Sequence, residues 1–273
     1  MSLFQAMVLG IVQGLTEFLP ISSTGHLRIV PALVGWEDPG AYFTAVIQIG
    51  TVLAVVIYFW KDLVSITRTW LASLRRPELR GELDARMGWY VIIATIPISI
   101  LGLAFSSQIE TGARNLYLIG SALIALGLIL GVADRFGRRV RDYASVRLPD
   151  AIAVGFAQAL ALIPGVSRSG STITMGLFLG MKRDVAARFS FLLSVPAIVL
   201  SGGYGLLEIF SSDTDQVGIV PILVATLFAF ISGYAAIAFL LKWLSSHSTG
   251  IFVVYRVALG VLVIVLAATG TIS

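Results

Sequence analysis

The sequence has little charge and no cysteine. Of its 273 residues, 12% are charged and 57% are hydrophobic, whereas a soluble domain carries about twice that fraction of charge. The lack of cysteine excludes a disulfide framework, a thiol nucleophile and a thiolate metal site. A Walker loop, an HExxH motif and a DxDxDG loop are also missing from the sequence, which argues against an ATP-driven pump and a zinc hydrolase.

Long apolar runs fill much of the chain. Four of them, for example Phe43–Trp60 and Met87–Ile109, carry no charge over a length that matches the roughly 20 residues needed to cross a bilayer. The sequence therefore predicts an all-α polytopic membrane protein that forms one integral membrane domain over residues 1–273. The six predicted transmembrane helices cover residues 42–60, 87–109, 115–133, 187–208, 217–241 and 251–270.

The basic residues give the chain a net charge of +4, but their placement does not indicate nucleic-acid binding. They concentrate in the links 61–86 and 135–147 and around 182–188, whereas the links 35–41 and 211–216 contain none. This split is the positive-inside pattern of membrane proteins. It predicts which links face the cytoplasm and places both termini outside.

An internal repeat is visible in two motifs. "GIVQGLTEFLPISSTG" starts at Gly10 and "GFAQALALIPGVSRSG" starts at Gly155, with Gly, Gln, Leu, Ser and Gly recurring at an offset of 145. We interpret residues 1–147 and 148–273 as two copies of one unit. Three spans lie between the motifs, so the second copy is expected to be inverted relative to the first.

Each motif predicts a re-entrant helix–loop–helix hairpin. In the second motif, apolar stretches of 13 and 11 residues flank Pro164 and Gly165, and each gives only about 16–20 Å of helix, too short for a hydrocarbon core of about 30 Å. Both flanks are basic, so the chain should leave the membrane on the side where it entered. The alternative is one long tilted span in which Arg168 snorkels. The predicted architecture is six transmembrane helices plus two re-entrant hairpins in an inverted repeat.

The two hairpin tips are rich in polar side chains. The first tip carries Glu17, Ser22, Ser23, Thr24 and His26, and the second carries Ser167, Arg168, Ser169, Ser171 and Thr172. Hydroxyl-rich, glycine-containing loops at helix starts bind anions, and an arginine suits phosphate oxygens. The tips therefore predict a site for a phosphate or diphosphate head group.

The same residue types can also cut a phosphoanhydride. Histidine serves as a nucleophile or proton carrier, and a carboxylate serves as an acid, a base or a ligand of a hard cation. Structural interpretations stay open, because Glu17 and Arg168 can simply pair, and hydroxyls in membrane helices often bond their own i−4 carbonyl. Arg256 is expected to snorkel rather than to bind substrate.

Two segments resemble a known family. "QGLTEFLPISSTGH" (residues 13–26) and "PGVSRSGST" (residues 164–172) are similar to the signature motifs of the bacterial undecaprenyl-diphosphate phosphatases, membrane enzymes linked to bacitracin resistance. The resemblance implies hydrolysis of undecaprenyl diphosphate to the monophosphate carrier of cell-wall synthesis. It also implies residence in the bacterial cytoplasmic (inner) membrane and an active site that opens to the outer side.

The resemblance assigns roles to matching positions. The residues that it implies for catalysis are Glu17, Ser23, His26 and Arg168, and the sequence does not choose among Ser23, His26 and water as the nucleophile. The residues expected to bind the diphosphate are Gln13, Ser22, Thr24, Gly25, Ser167, Ser169, Gly170 and Thr172. It further implies a divalent cation, Mg²⁺ or Ca²⁺, with Glu17 as its ligand. Gln13 stands where the family has Glu or Gln, so a scheme that needs two carboxylates does not suit this chain.

Two other functions remain open from the sequence. The same fold could transport a polyprenyl phosphate lipid between leaflets, since inverted repeats with broken helices are typical of transporters. A non-catalytic anion-binding protein is the third candidate. The expected partners are a polyprenyl diphosphate lipid and the bilayer, with a homodimer as the candidate assembly.

Overall fold

The computed structural model describes residues 1–105, 115–211 and 218–272, without the side chains of 41, 42 and 204–211. These residues form eleven α-helices and no strand of a sheet. In the first half, the helices are α1 (Leu3–Phe18), α2 (Ser23–Val34), α3 (Gly40–Tyr58), α4 (Trp60–Arg75), α5 (Leu83–Ala104) and α6 (Leu116–Phe136). In the second half, they are α7 (Leu148–Ala159), α8 (Arg168–Phe178), α9 (Arg183–Ser211), α10 (Ile219–Leu244) and α11 (Gly250–Ala268).

Long apolar helices confirm the polytopic membrane class. Five stretches, in α5, α6, α9, α10 and α11, are long and apolar enough to cross a membrane, and a bent pair formed by α3 and α4 would make a sixth. These helices occupy five of the predicted spans, with ends that differ by a few residues. The last residues of the predicted span 87–109 lie outside the described part of the chain.

The link predicted over residues 61–86 is more ordered than expected. α3 ends at Tyr58, and α4 continues after a bend of 79°. α4 alternates basic residues such as Arg68 with exposed apolar ones such as Leu71, as interfacial helices do. A one-residue break at Phe59 therefore turns the chain from a span into an amphipathic helix.

Each predicted hairpin folds back on itself. α1 and α2 are in contact, and the ring of Phe4 at the start of α1 lies edge-on to Trp36 just beyond α2, with 6.3 Å between centroids. α7 and α8 also pack together. One long rod through residues 151–181 is therefore excluded.

A single arginine joins the two ends of the second hairpin. Arg141 Nη1 donates to Asp150 Oδ1 at 2.9 Å, near the start of α7, and to the carbonyl of Leu179 at 3.0 Å, just past α8. The chain thus starts and finishes this hairpin at the same end of the molecule.

The hairpins pack against opposite halves of the chain. α1 lies along α10, and α7 lies along α5. Gly10 and Gly155, which match at the offset of 145, make these contacts: a Cβ on Gly10 would lie 2.2 Å from the Ala225 carbonyl oxygen, and one on Gly155 would lie 2.7 Å from that of Ala94. Small residues permit this close backbone approach between membrane helices.

Candidate active site

The loop of each hairpin ends in a serine with an unusual backbone. Ser22 has φ 77° and Ser167 has φ 73°, a region that non-glycine residues seldom adopt. Each caps the helix that follows: Ser22 Oγ accepts from Gly25 N at 3.3 Å and Ser167 Oγ accepts from Gly170 N at 3.0 Å. Both N-termini thus form in the same way, and the N–H groups of the first two residues of each helix, which have no partner within the helix, can bind an anion.

The two loops are in direct contact. Ser169 Oγ at the start of α8 donates to the carbonyl of Leu19 in the first loop at 3.0 Å. This hydrogen bond joins residues 150 positions apart in the sequence. The structure therefore brings the two predicted tips together at one place.

Arg256 of α11 links both loops to each other. Its guanidinium donates to the carbonyls of Pro20, Gly165 and Val166, each at 3.0 Å. It also donates to the carbonyls of two α6 residues, Ala122 and Leu123, at 3.4 and 3.2 Å.

The expectation that Arg256 snorkels is therefore wrong. The residue is 0% exposed. Its guanidinium can be buried because the loop carbonyls accept the hydrogen bonds that water would otherwise accept. A lone charge in the middle of an otherwise apolar helix was the available sequence signal for a role in the interior.

A buried carboxylate lies at the centre of the tips. Arg168 Nη2 donates to Glu17 Oε1 at 3.2 Å, and both side chains are less than one-tenth exposed. Ser23 Oγ donates to Glu17 Oε2 at 2.6 Å, and Gln13 Nε2 donates to the same oxygen at 3.1 Å. Residues predicted from both hairpins thus meet on one carboxylate.

The ion pair with Glu17 uses only part of the hydrogen-bonding capacity of the Arg168 guanidinium. Its Nη1 donates to the carbonyl of Ser190 at 3.2 Å, while its buried Nε has no hydrogen-bond partner among the described residues. Ser190 Oγ lies 2.6 Å from Thr172 Oγ1, so this α9 residue supports two predicted site residues. Buried donors without partners are rare in native proteins, and a phosphate oxygen would satisfy this one.

His26 lies on α2, one turn after Ser23, but it contacts other groups. Its Nδ1 is 2.7 Å from the carbonyl oxygen of Ser22, and its Nε2 is 2.7 Å from the hydroxyl of Tyr255. The histidine is 5% exposed, whereas Tyr255 is 42% exposed. Tyr255 was not among the predicted site residues, and a tyrosine in an apolar helix gives no distinctive sequence signal.

The remaining predicted residues line the two tips. Thr24 is exposed, and its hydroxyl lies 3.3 Å from that of Ser22. A Cβ on Gly170 would lie 2.7 Å from Arg256 Nη1, and one on Gly25 would lie 3.3 Å from Ile119 Cγ2. The glycines thus permit the helix starts to approach their neighbours closely.

The side-chain oxygens at Glu17 and Gln13 are of the kind that a hard divalent cation binds. Among the described residues, no group of three or more His, Asp or Glu side chains converges, so a cage made entirely of protein carboxylates is absent there. The buried Oε1 of Gln13 has no hydrogen-bond partner in that same part of the chain, although the other end of this amide contacts Glu17. Mg²⁺ is commonly bound by one carboxylate together with substrate phosphates, and an amide oxygen is a common ligand of Ca²⁺.

The arrangement can activate a hydroxyl and hold an anion. A serine that donates to a buried carboxylate is the nucleophile–base pairing found in hydrolases. The adjacent guanidinium and two helix N-termini can neutralise charge that develops on a phosphoryl group.

The chain is similar over nearly its full length to proteins of one family. The family model described as "Bacitracin resistance protein BacA" matches residues 6–262. A protein of Nocardioides sp. named undecaprenyl-diphosphatase is 55% identical over 269 residues, which cover 98% of each chain. A protein of the same name from Myxococcus xanthus is 54% identical, and the match covers 100% of this chain and 92% of that protein. Another from Chlorobaculum parvum is 52% identical, and the match covers 99% of each chain. The chain therefore belongs to the bacitracin resistance protein BacA family.

Proposed function

We propose that the cluster around Glu17 and Arg168 is where undecaprenyl diphosphate loses its terminal phosphate. The chain is an undecaprenyl-diphosphatase, because it belongs to the bacitracin resistance protein BacA family and its full-length relatives are named undecaprenyl-diphosphatase. The products are undecaprenyl phosphate and inorganic phosphate, and the substrate is a polyprenyl lipid in the bilayer.

The observation that carries this assignment is the shared carboxylate. Glu17 accepts hydrogen bonds from Ser23 of its own hairpin and from Arg168 of the other. The pairing places a hydroxyl nucleophile, its base and an anion-binding guanidinium within one buried cluster. In surroundings that exclude water, such fixed charges act strongly on a phosphoryl group.

In the first step, Ser23 Oγ attacks the terminal phosphorus. The Oγ–P bond forms and the bond from phosphorus to the bridging oxygen breaks, so that undecaprenyl phosphate leaves with the electron pair. The hydroxyl proton passes to Glu17, whose oxygen lies 2.6 Å from Oγ. Arg168 and the N–H groups at the starts of α2 and α8 hold the phosphoryl oxygens.

In the second step, water attacks the phosphoserine. His26 Nε2 takes a proton from the water, the Oγ–P bond breaks and Glu17 returns its proton to Ser23. The products are inorganic phosphate and a protonated His26, which releases its proton to solvent. His26 as the nucleophile is the alternative, but the Ser23–Glu17 hydrogen bond favours serine.

A divalent cation fits beside this cluster. Glu17 and the amide oxygen of Gln13, which accepts no hydrogen bond from the described residues, would hold it, and when bound it would neutralise charge on the diphosphate. The single carboxylate at this position agrees with a cation that is held partly by the substrate.

The hairpins support the finer membrane topology. We place six spans and two re-entrant hairpins in the bacterial inner membrane, with 1–147 and 148–273 as inverted repeats, both termini outside and the site open to the outer side. Three correspondences at the offset of 145 support the repeat: Gly10 with Gly155 at helix contacts, Ser22 with Ser167 at positive φ, and Gly25 with Gly170 at the caps. All of these site residues come from one chain, and the homodimer stays a prediction.

A transport function is not supported, since the relatives from Nocardioides sp., Myxococcus xanthus and Chlorobaculum parvum carry the name of a phosphatase. The experiment that tests the hydrolase is phosphate release by the purified protein from undecaprenyl diphosphate in detergent, with and without chelator. We expect the parent protein to release phosphate and the Ser23→Ala variant to release none. A protein that binds the lipid and releases no phosphate would contradict the proposed function.

A further inference from the structure

Tyr255 contacts the one ring nitrogen of His26 that can react. The rings are nearly parallel, with an interplanar angle of 6° and 5.6 Å between centroids, and the Tyr255 hydroxyl lies 2.7 Å from Nε2. The two residues are 229 positions apart in the sequence, so the contact depends on α11 packing beside the first hairpin.

The other ring nitrogen is fixed by the backbone. Nδ1 lies 2.7 Å from the carbonyl oxygen of Ser22, which also accepts the backbone N–H of His26 at 3.1 Å. A carbonyl oxygen only accepts, so Nδ1 must carry the hydrogen. In the neutral ring, Nε2 then has the lone pair, and the Tyr255 hydroxyl donates to it.

We infer that Tyr255 is a positioning residue that donates to Nε2 of His26 and orients the ring, whose Nδ1–H tautomer is set by the Ser22 carbonyl, so that Nε2 is the atom that accepts a proton from water during hydrolysis. Which nitrogen of a histidine is protonated is set by the hydrogen bond that the other nitrogen makes. Here both nitrogens have a partner before substrate arrives. Nδ1 is directed into the backbone and is excluded from the reaction.

The exposure of the two residues fits this role. His26 is 5% exposed and Tyr255 is 42% exposed, so the phenol lies between Nε2 and the surface of the protein. Water or a phosphate oxygen would reach Nε2 by taking the place of the Tyr255 hydroxyl. Because the tyrosine is the more exposed partner, its hydroxyl can turn away without disturbing the Nδ1 hydrogen bond.

The tautomer can be measured directly, because the chain has only two histidines. In full-length protein labelled with ¹⁵N-histidine, the His247→Asn variant leaves His26 as the only histidine signal. We expect a protonated Nδ1 and an unprotonated Nε2 that accepts a hydrogen bond. In Tyr255→Phe, which retains the ring and removes only the hydroxyl, the Nε2 resonance should move to that of a free lone pair while Nδ1 stays protonated.

Kinetics give the second readout. Tyr255→Phe should lower kcat about tenfold, because the His26 ring loses the contact that orients it before substrate arrives, with KM changed less than about twofold. Tyr234→Phe is the matched control, since Tyr234 is also 42% exposed and its ring contacts Tyr58. It should leave both constants unchanged.

The inference rests on the proposed role of His26 in hydrolysis, and the two can fail separately. A protonated Nε2 in the parent protein, or a His26 spectrum that Tyr255→Phe does not change, would overturn the role of Tyr255. Full turnover by His26→Ala would instead remove His26 from the proposed mechanism, whatever the tautomer.

Discussion

Glu17 and Arg168 form an ion pair at 3.2 Å although 151 positions separate them in the sequence. Each comes from a different hairpin, and each would be unfavourable alone in surroundings that exclude water. The pair therefore exists only when both tips are in place. The charge proposed to bind phosphate and the carboxylate proposed to remove a proton thus depend on one another structurally.

Removing the carboxylate should abolish most of the activity. In Glu17→Gln, Ser23 loses its base and Arg168 loses its counter-ion, so phosphate release should fall by about 100-fold or more. The unpaired buried charge should lower the free energy of unfolding by about 3–5 kcal/mol. Glu37→Gln is the control, since Glu37 is exposed. Turnover in Glu17→Gln similar to that of the control would contradict the assignment of the base.

Arg256 should be needed for the stability of both tips. Arg256→Met leaves five carbonyls without their donor, and we expect a loss of at least about 3 kcal/mol in the free energy of unfolding. Arg256→Lys should recover only part of it, because an ammonium has fewer donors. Thermal unfolding in detergent measures the difference, with exposed Arg135→Met as control. An unchanged melting temperature in Arg256→Met would show that the loops hold together without it.

The two helix-start glycines should differ in their tolerance of a methyl group. At Gly170 a Cβ would lie 2.7 Å from Arg256 Nη1, whereas at Gly25 the nearest atom would be 3.3 Å away. We expect Gly170→Ala to destabilise by about 1–3 kcal/mol and Gly25→Ala to do so less. Gly203→Ala meets nothing within 4 Å and should be neutral or slightly stabilising. Equal melting temperatures for the Gly170 and Gly25 variants would be inconsistent with the close contact to Arg256.

Chelation should suppress phosphate release, and Gln13 should modulate the effect. A second carboxylate in Gln13→Glu would strengthen binding of a hard cation, so half-maximal activity should need less Mg²⁺. Gln13→Leu should need more. The measurement is phosphate release against free Mg²⁺ after chelator treatment. If the parent protein and both variants needed the same Mg²⁺ concentration, Gln13 would not be a ligand of the cation.

The sequence alone predicted those features that depend on local patterns. Charge-free runs predicted the spans, and the broken motif around Pro164 predicted a hairpin, because helix length and helix breaking are local properties. The hydroxyls, Glu17 and Arg168 were identifiable because polar groups are rare in such surroundings.

Contacts between distant elements were not predictable in the same way. The roles of Arg256, Ser190 and Tyr255 depend on how α9 and α11 pack against the tips, and no periodicity in one helix encodes that packing. The bend of 79° after α3 was also missed, since the basic residues of 61–86 indicate a cytoplasmic link and do not distinguish a loop from an interfacial helix.

The central claim is that two hairpins form one active site, and a double-mutant cycle of kcat/KM tests it most directly. Phosphate release from undecaprenyl diphosphate would be measured for the parent protein, Glu17→Gln, Arg168→Met and the double variant. Groups that act as a unit give strongly non-additive losses, so the double variant should be no slower than the slower single variant. Losses that multiply would show that the two residues act independently and would contradict a shared site.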